Sequence, residues 1–287
     1  MSEVVERTDE EFREWMRGHV ARAADHFALT ITGESAFGWC LRSISVRASG
    51  ADGPCWLRVG SEQECWLTDP VLADFWTGNL DANVISGVAK PRVLDSIEWA
   101  EPDRKRRVRA DLMTFLPGRP CSPTDVLRSE PGLPGAWWDE LRRSIDAIRT
   151  TSTARFADHS RTGSRTSEVF GIELPVEKWE TVHGDLHWNN VFGPDFGLID
   201  WEMWGTGPAG TDAATLHAFG LLVPEIARKV YDVFADVLGT PAGLVAQIHV
   251  AARLLHRAPN EFPDLADPLR EHIQPVVDQA KSEWVQP

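Results

Sequence analysis

The stretch HGDLHWNNVFGPDFGLID, residues 183–200, limits the fold and the chemistry of this chain more narrowly than any other segment. Two short apolar runs flank the turn signal Gly193-Pro194-Asp195, so the pattern predicts a tight antiparallel hairpin. Such a hairpin places Asn190, ahead of its first strand, beside Asp200, after its second strand. Oxygen ligands in this arrangement suit Mg²⁺, which takes one or two protein oxygens together with phosphate oxygens and water.

Asp185 lies five residues before Asn190, in a loop. A carboxylate there can orient a substrate hydroxyl and accept its proton as a phosphoryl group moves. The alternative is that Asp185 only caps the loop. His183 and His187 lack the helical context of a zinc motif, so we expect structural roles for both, with His183 bracing the loop through its ring nitrogens.

The residues His183-Gly184-Asp185-Leu186-His187 with Asn190, followed by Ile199-Asp200-Trp201-Glu202, resemble the aminoglycoside phosphotransferase family, small-molecule relatives of the protein kinases. The likeness continues through GTGPAGTD, which ends at Asp212. It implies an α+β, bilobal, protein-kinase-like fold with a strand-rich N-lobe, a helical C-lobe and the nucleotide between them. It also implies that Asp185 is the catalytic base, that Asn190 and Asp200 bind Mg²⁺, and that Asp212 supports the catalytic loop.

The same resemblance assigns candidate nucleotide-binding residues in the N-lobe. The strand WLRV resembles the one that usually offers a lysine to the phosphates, and here the cation is Arg58. Arginine is always charged and binds two oxygens through a planar fork, whereas an exposed strand arginine is the alternative interpretation. Its acidic partner is left open among four residues, Glu62, Glu64, Asp74 and Asp81.

Two further segments are candidates for nucleotide contacts. LMTFLPG, residues 112–118, is similar to the kinase hinge, where backbone groups of Thr114, Phe115 and Leu116 would pair with the adenine edge. Gly33 and Gly38 bound GESAFG, a candidate phosphate-covering loop, although two glycines five residues apart are a weak signal and an ordinary structural segment is favoured. Glu202, acidic and just past Asp200, is a candidate substrate contact.

The rest of the chain follows an order of strands first and helices afterwards. The capping box at Thr8 predicts a helix start, and a stripe of apolar residues at helical spacing follows it at Phe12, Trp15, Met16, Val20, Ala23, Ala24 and Phe27. Two strand-like runs, residues 41–46 and 55–59, flank the turn-rich ASGADG and predict a hairpin. Ser122-Pro123-Thr124-Asp125 predicts another helix start, and a second apolar stripe follows at Trp137, Trp138, Leu141, Ile145 and Ile148. A helix from Asp69-Pro70 is expected to end near Gly78 and Asn79, and residues 161–167 are expected to form a polar connection. Leu116-Pro117-Gly118 marks a boundary that divides the chain into an N-lobe, 1–116, and a C-lobe, 117–287.

Composition narrows the class of partner. The net charge is -14, from 43 acidic and 29 basic residues, which disfavours nucleic acid and attracts small cations, although acidity also serves solubility. No run of eighteen apolar residues occurs and the charged first residues lead into no apolar segment, so a cytoplasmic protein without a membrane partner is expected. The four cysteines lack any CxxC spacing and are expected to be reduced core residues.

These observations predict an enzyme that uses ATP or GTP and Mg²⁺ to phosphorylate a hydroxyl group of a small polar or cationic molecule. An antibiotic-type, aminoglycoside-like acceptor is favoured by the family resemblance and the acidic balance. A metabolic kinase acting on choline, a sugar or an amino-acid hydroxyl shares the same motifs, and a nucleotide-binding pseudokinase or sensor is the alternative from another class. The oligomeric state and the choice between ATP and GTP are left open.

Overall fold

The computed structural model describes residues 2–157 and 164–284. The chain divides into two compact units. The first contains Met1–Val84 and Lys90–Pro117, and the second contains Ile85–Ala89 and Gly118–Pro287. The second unit therefore includes a five-residue segment that precedes the end of the first unit in sequence.

The first unit is built on an antiparallel sheet. Its elements are α1 (Ser2–His26), β1 (Thr30–Phe37), β2 (Ser43–Gly50), β3 (Gly53–Gln63), α2 (Pro70–Asp81), β4 (Val93–Glu101) and β5 (Arg106–Thr114). The strand order is β1-β2-β3-β5-β4, with every neighbouring pair antiparallel. The predicted hairpin around ASGADG is confirmed as β2 and β3. Strand β2 begins two residues after the predicted start at Leu41, and both strands reach closer to the turn than predicted, to Gly50 and from Gly53.

Helix α1 covers the sheet with one apolar stripe. The predicted stripe residues Met16, Val20, Ala23 and Ala24 are buried, and they pack with strand residues such as Val46 and Leu57 in one core cluster. Residues at helical spacing thus meet alternate residues of the strands, because only one face of each element is apolar. The predicted start at Thr8 is wrong, since the helix already begins at Ser2.

Helix α2 begins as predicted and ends later. The Asp69 carboxylate accepts the backbone N–H groups of Val71 (2.9 Å) and Leu72 (3.4 Å), which caps the helix start. The expected stop near Gly78 and Asn79 is wrong, because both residues are buried within a helix that continues to Asp81. Burial at this point outweighs the low helix propensity of glycine.

The second unit is mainly helical, with three short strand pairings. Its elements are β6 (Arg119–Pro120), α3 (Gly135–Arg149), α4 (Ser164–Phe170), β7 (Trp179–Val182), β8 (Val191–Gly193), β9 (Gly197–Leu198), β10 (Gly205–Pro208), α5 (Thr211–Phe219), α6 (Pro224–Val233), α7 (Ala235–Leu238), α8 (Pro241–Glu261) and α9 (Ala266–Trp284). Strand β8 pairs with β6 and β9, and β7 pairs with β10. The α+β class with strands first and helices afterwards is confirmed.

Tryptophans form much of the core of this unit. The predicted stripe of α3 is buried, and the Trp137 ring stacks on Trp188 with 6.3 Å between centroids and 12° between planes. Trp188, Trp201 and Trp204 are 0%, 1% and 2% exposed, so they are core residues. Because Trp188 belongs to the motif stretch, the core and the motif share side chains.

Several local predictions fail. No helix starts at Ser122, whose hydroxyl instead donates to the Val126 carbonyl (2.9 Å) and stabilises a turn. Cys40 and Cys65 are exposed rather than in the core, while Cys55 is buried, and all four cysteines are free. Of the predicted connection at 161–167, residues 161–163 lie outside the described residues, and the remainder falls in helix α4.

Within the described ranges, no helix has the length and apolar character needed to cross a membrane.

Candidate active site

The predicted hairpin at residues 191–199 is present. Val191 pairs with Leu198, and Phe192 pairs with Gly197. The Ile199 N–H group donates to the Asn190 carbonyl (3.0 Å), which brings the residues before and after the two strands to the same end. Asp200 follows at φ 65°, a left-handed conformation that aspartate tolerates better than most residues, and it is exposed.

The loop before the hairpin is held by Asp212 at the start of α5. One Asp212 oxygen accepts the His183 N–H (2.7 Å), and the other accepts the Gly184 N–H (3.0 Å). Asp212 is 3% exposed. Burial raises its pKa to about 7, an effect that the two N–H donors partly oppose. The carboxylate therefore satisfies two backbone donors that a buried loop would otherwise leave unpaired.

His183 ties this loop to the hairpin. Its Nδ1 accepts the Asp185 N–H at 3.4 Å, and its Nε2 lies 3.0 Å from the Ile199 carbonyl oxygen. An acceptor at Nδ1 and a carbonyl at Nε2 define a neutral imidazole protonated at Nε2. Burial lowers the His183 pKa to about 4, which agrees with the neutral form. His183 thus braces the loop through both ring nitrogens.

Asp185 is partly exposed, with its side chain 23% accessible. Burial alone would raise its pKa, but the hydrogen bond from His187 and nearby positive charge lower the pKa to about 2. The closest approach is 3.4 Å, between Asp185 Oδ2 and His187 Nε2. An ionised carboxylate of this kind is a weak base at neutral pH, so its chemical capacity is to orient a hydroxyl and receive its proton late in a reaction.

Asn190 has an orientation that fits a hard cation. Its Nδ2 donates to the Asp185 carbonyl (3.0 Å) and lies 3.1 Å from His187 Nε2. Because the amide nitrogen faces the loop, the Oδ1 atom is the one left for a ligand. Together with the exposed Asp200 carboxylate, this gives two protein oxygens, the number Mg²⁺ takes when phosphate and water complete its shell. No group of three or more His, Cys, Asp or Glu side chains suited to a metal occurs among the described residues.

Two residues near this loop were not predicted to belong to the site. The sequence indicated Asp125 only as part of a helix start. In the structure its Oδ1 lies 3.6 Å from His187 Nε2, the nitrogen that Asp185 Oδ2 approaches at 3.4 Å, so both carboxylates contact the same imidazole. Arg253 on α8 donates to the Gly184 carbonyl (3.3 Å), although no motif surrounds it. The sequence signal that could have identified Arg253 is its charge within an otherwise apolar stretch of helix.

The nucleotide-binding candidates lie in the first unit. Arg58 is on β3 opposite Asp111, whose carboxylate is bound by Arg109 Nε (2.8 Å) and the Ser96 hydroxyl (2.5 Å). Of the four acids considered as partners of Arg58, Glu62 instead forms an ion pair with Arg42.

The hinge-like segment begins at the end of strand β5, and the glycine pair lies on and just after strand β1. The Thr114 N–H donates to the Arg92 carbonyl (2.9 Å), so that group is occupied by strand pairing and is not available to a base. The Phe115 ring stacks on Trp56 (5.6 Å, 27°), and Leu116 is buried. Residues 33–37 belong to strand β1, and only Gly38, whose N–H donates to the Ser43 carbonyl (2.9 Å), lies in the following turn.

Glu202 lies just past Asp200 and is partly buried. Its backbone carbonyl accepts a hydrogen bond from Arg155 Nη2 (3.1 Å), which fixes the backbone there. A substrate contact through Glu202 stays a prediction.

The fold is that of the aminoglycoside phosphotransferases and other small-molecule kinases. A ternary complex of a thermostable mutant of aminoglycoside phosphotransferase APH(4)-Ia with ADP and hygromycin B is similar at 15% identity, covering 90% of this chain and 97% of that one, with a TM-score of 0.56. The amicoumacin kinase hAmiN, in complex with AMP-PNP, Ca²⁺ and Ami, is similar at 12% identity over 92% of this chain and 93% of that one, with a TM-score of 0.53.

A microcompartment-associated aminopropanol kinase is also similar, at 12% identity over 92% of this chain and 97% of that one, with a TM-score of 0.54. No protein-family model matches the sequence, and no curated protein sequence matches it significantly. At these identities the likeness establishes the fold alone.

Proposed function

We propose that the protein is an O-phosphotransferase that moves the γ-phosphoryl group of ATP or GTP to a hydroxyl of a small polar or cationic molecule. The observation that carries the proposal is the arrangement around Asp185. An ionised, partly exposed carboxylate is fixed by hydrogen bonds at the backbone, beside a hairpin end that presents Asn190 and Asp200. The fold shared with solved small-molecule kinases supports the same reaction class.

In this reaction each residue has a separate role. Asp185 orients the acceptor hydroxyl and receives its proton as the bond to phosphorus forms. Asn190 and Asp200 would hold Mg²⁺, which neutralises phosphate charge when it is bound. Arg58 would bind phosphate oxygens through its fork, and the backbone of Phe115 and Leu116 would pair with the base. Catalysis then rests on positioning and charge neutralisation.

The acceptor is proposed to carry an ammonium group near its reactive hydroxyl, as aminoglycosides and simple amino alcohols do. Asp125 and Asp185 approach the same His187 nitrogen at 3.6 and 3.4 Å, so a hydroxyl on Asp185 and an ammonium on Asp125 can belong to one molecule. The net charge of -14 attracts such a molecule. A choline-type acceptor is less favoured, because the nearby rings of Phe219 and Phe262 are buried and offer no exposed aromatic cage.

Among antibiotic-type and metabolic acceptors, the antibiotic-type acceptor is proposed first. Structures of this fold in complex with hygromycin B and with Ami support the antibiotic-type acceptor, while the aminopropanol kinase supports a small metabolic one. A cytoplasmic location, where nucleotide is abundant, is proposed with it, and all four cysteines are free.

The proposal is tested by incubating the purified protein with Mg-ATP or Mg-GTP and a panel of aminoglycosides, amino alcohols, sugars and choline. Phosphorylated product is expected with an amine-bearing acceptor. The Asp185→Asn variant should lose several orders of magnitude in turnover with nearly unchanged nucleotide affinity, since only the proton acceptor is removed. Nucleotide binding without turnover of any acceptor would instead favour a sensor, and wild-type turnover by the variant would refute the role of Asp185.

A further inference from the structure

Arg253 is a charged residue within the apolar part of helix α8. Its neighbours along the helix, Val250, Ala251, Ala252, Leu254 and Leu255, are all buried. Its Nε atom is shielded from solvent and has no hydrogen-bond partner among the described residues. Removing a guanidinium from water costs free energy, so an arginine here destabilises the helix packing unless its remaining contacts offset that cost.

Those contacts lead to the loop that carries Asp185. Arg253 Nη1 donates to the Gly184 carbonyl (3.3 Å), and Nη2 donates to the Thr215 hydroxyl (3.2 Å) on α5. The Gly184 N–H is held separately by the Asp212 carboxylate (3.0 Å). Gly184 is therefore bound at both its N–H and its carbonyl, from two different helices.

The Gly184 carbonyl belongs to the peptide group that continues into Asp185. Fixing its oxygen fixes the plane of that peptide, and with it the direction in which the Asp185 side chain leaves the backbone. Gly184 has φ 83°. Because glycine has no Cβ, its backbone dihedral angles are less restricted than those of any other residue, and the Gly184–Asp185 peptide could rotate more freely. A donor on this carbonyl removes the freedom that glycine introduces.

The positive charge of Arg253 also stabilises the loop that carries Asp185. Asp185 and Asp212 both experience its positive charge, which favours the ionised form of each carboxylate. A neutral donor at this position would hold the carbonyl without this effect. Arg253 thus combines a hydrogen bond to the loop with a field that stabilises the two carboxylates around it.

We propose that Arg253 is a positioning residue that orients Asp185 for phosphoryl transfer by fixing the Gly184–Asp185 peptide. The assignment rests on the proposed function, since Asp185 is the proton acceptor only in that reaction. Arg253 itself does not contact the reacting atoms. Its effect is therefore expected on turnover and not on the binding of nucleotide.

The test compares Arg253→Met and Arg253→Lys with Arg142→Met. Arg142 provides a matched control because it also joins two helices, through its ion pair with Asp236 on α7 (2.6 Å), and it pairs with Asp146 within α3 (2.8 Å). It makes no contact with the Gly184 loop. For Arg253→Met, kcat should fall about 10²-fold with KM for nucleotide within about twofold, as expected for a displaced catalytic group. Arg253→Lys should recover part of the loss, and Arg142→Met should keep wild-type kcat.

Hydrogen exchange of the peptide covering residues 183–185 provides a readout that is independent of activity. Arg253→Met should exchange these amides at least about 10-fold faster than Arg142→Met, because the loop opens more easily. Wild-type exchange in Arg253→Met, or faster exchange with unchanged kcat, would overturn the proposal. If Arg253→Met does not fold, Arg253→Lys and Thr215→Val are measured in the same way. We expect a smaller fall in kcat and a smaller rise in amide exchange for these variants. If neither change occurs, the positioning role of Arg253 is refuted.

The proposed function and the positioning role of Arg253 can be refuted separately. A wild-type protein that phosphorylates no acceptor would refute the proposed function and with it the catalytic role of Arg253, even if the loop exchange changes as expected. An active wild-type enzyme whose kcat is insensitive to Arg253→Met refutes the positioning role alone.

Discussion

Replacing Gly184 by alanine is expected to destabilise the second unit and to reduce turnover together. Gly184 has φ 83°, and an added Cβ would lie 2.5 Å from the Met203 carbonyl oxygen. That oxygen belongs to the backbone, so it cannot move aside as a flexible side chain would. The substitution must therefore displace either the loop before Asp185 or the chain at Met203.

The magnitude follows from two separable contributions. A left-handed conformation costs a residue with a Cβ about 1–2 kcal/mol. The steric contact adds the cost of overpacking a well-packed site, about 1–3 kcal/mol. Gly132 has φ 65° and nothing within 4 Å of an added Cβ, so Gly132→Ala carries only the first contribution and is the matched control.

The assay is urea denaturation of both variants, with comparison of midpoints at unchanged slope. Gly184→Ala should lose about 1–3 kcal/mol more of the free energy of unfolding than Gly132→Ala. A shift of about 1 Å at Asp185 should also lower kcat on the order of 10²-fold, whereas Gly132→Ala should leave kcat unchanged. Equal stability losses together with equal kcat values would refute the steric argument.

Two further predictions concern pH and metal. Burial lowers the His217 pKa to about 4 from 6.5, so between pH 6.5 and 4 the unfolded chain binds a proton that the folded one does not. The free energy of unfolding should fall by roughly 3 kcal/mol as pH drops through this window. In His217→Gln, denaturation should show a flatter dependence of this free energy on pH. An equally steep dependence would contradict the assignment to His217. Asp200→Ala should abolish the Mg²⁺ dependence of nucleotide binding measured by calorimetry, and retained dependence would remove Asp200 from the proposed metal site.

Much of the fold could be predicted because it follows from periodic patterns. The stripes of α1 and α3 and the alternation of β2 and β3 depend on which residues face the core, and that information is local. The hairpin at 191–199 was predictable for a similar reason, because its turn residues lie between two apolar runs. These features also placed Asn190 and Asp200 at the same end.

The features that the sequence did not predict correctly depend on contacts between distant parts of the chain. Ser122-Pro123-Thr124-Asp125 has the residue types of a helix start, but its backbone forms hydrogen bonds with the motif stretch instead. The Ser122 N–H group donates to the Trp188 carbonyl (3.1 Å), and the Trp188 N–H group donates to the Asp125 carbonyl (3.2 Å). A tertiary partner replaced the helix, and no local signal reports that partner. Arg253 was missed likewise, because its contact with Gly184 spans 69 residues of sequence.

The segment Ile85–Ala89 has a consequence for the order in which the protein forms during synthesis. It precedes strands β4 and β5 in the chain, yet it belongs to the second unit, where the Ala89 carbonyl accepts the Leu198 N–H (2.9 Å) of the hairpin. A ribosome exposes residues 85–89 more than a hundred residues before Leu198. The hairpin that presents Asn190 and Asp200 therefore closes onto a segment made long before it, and a truncated nascent chain ending before Leu198 leaves that carbonyl without this donor.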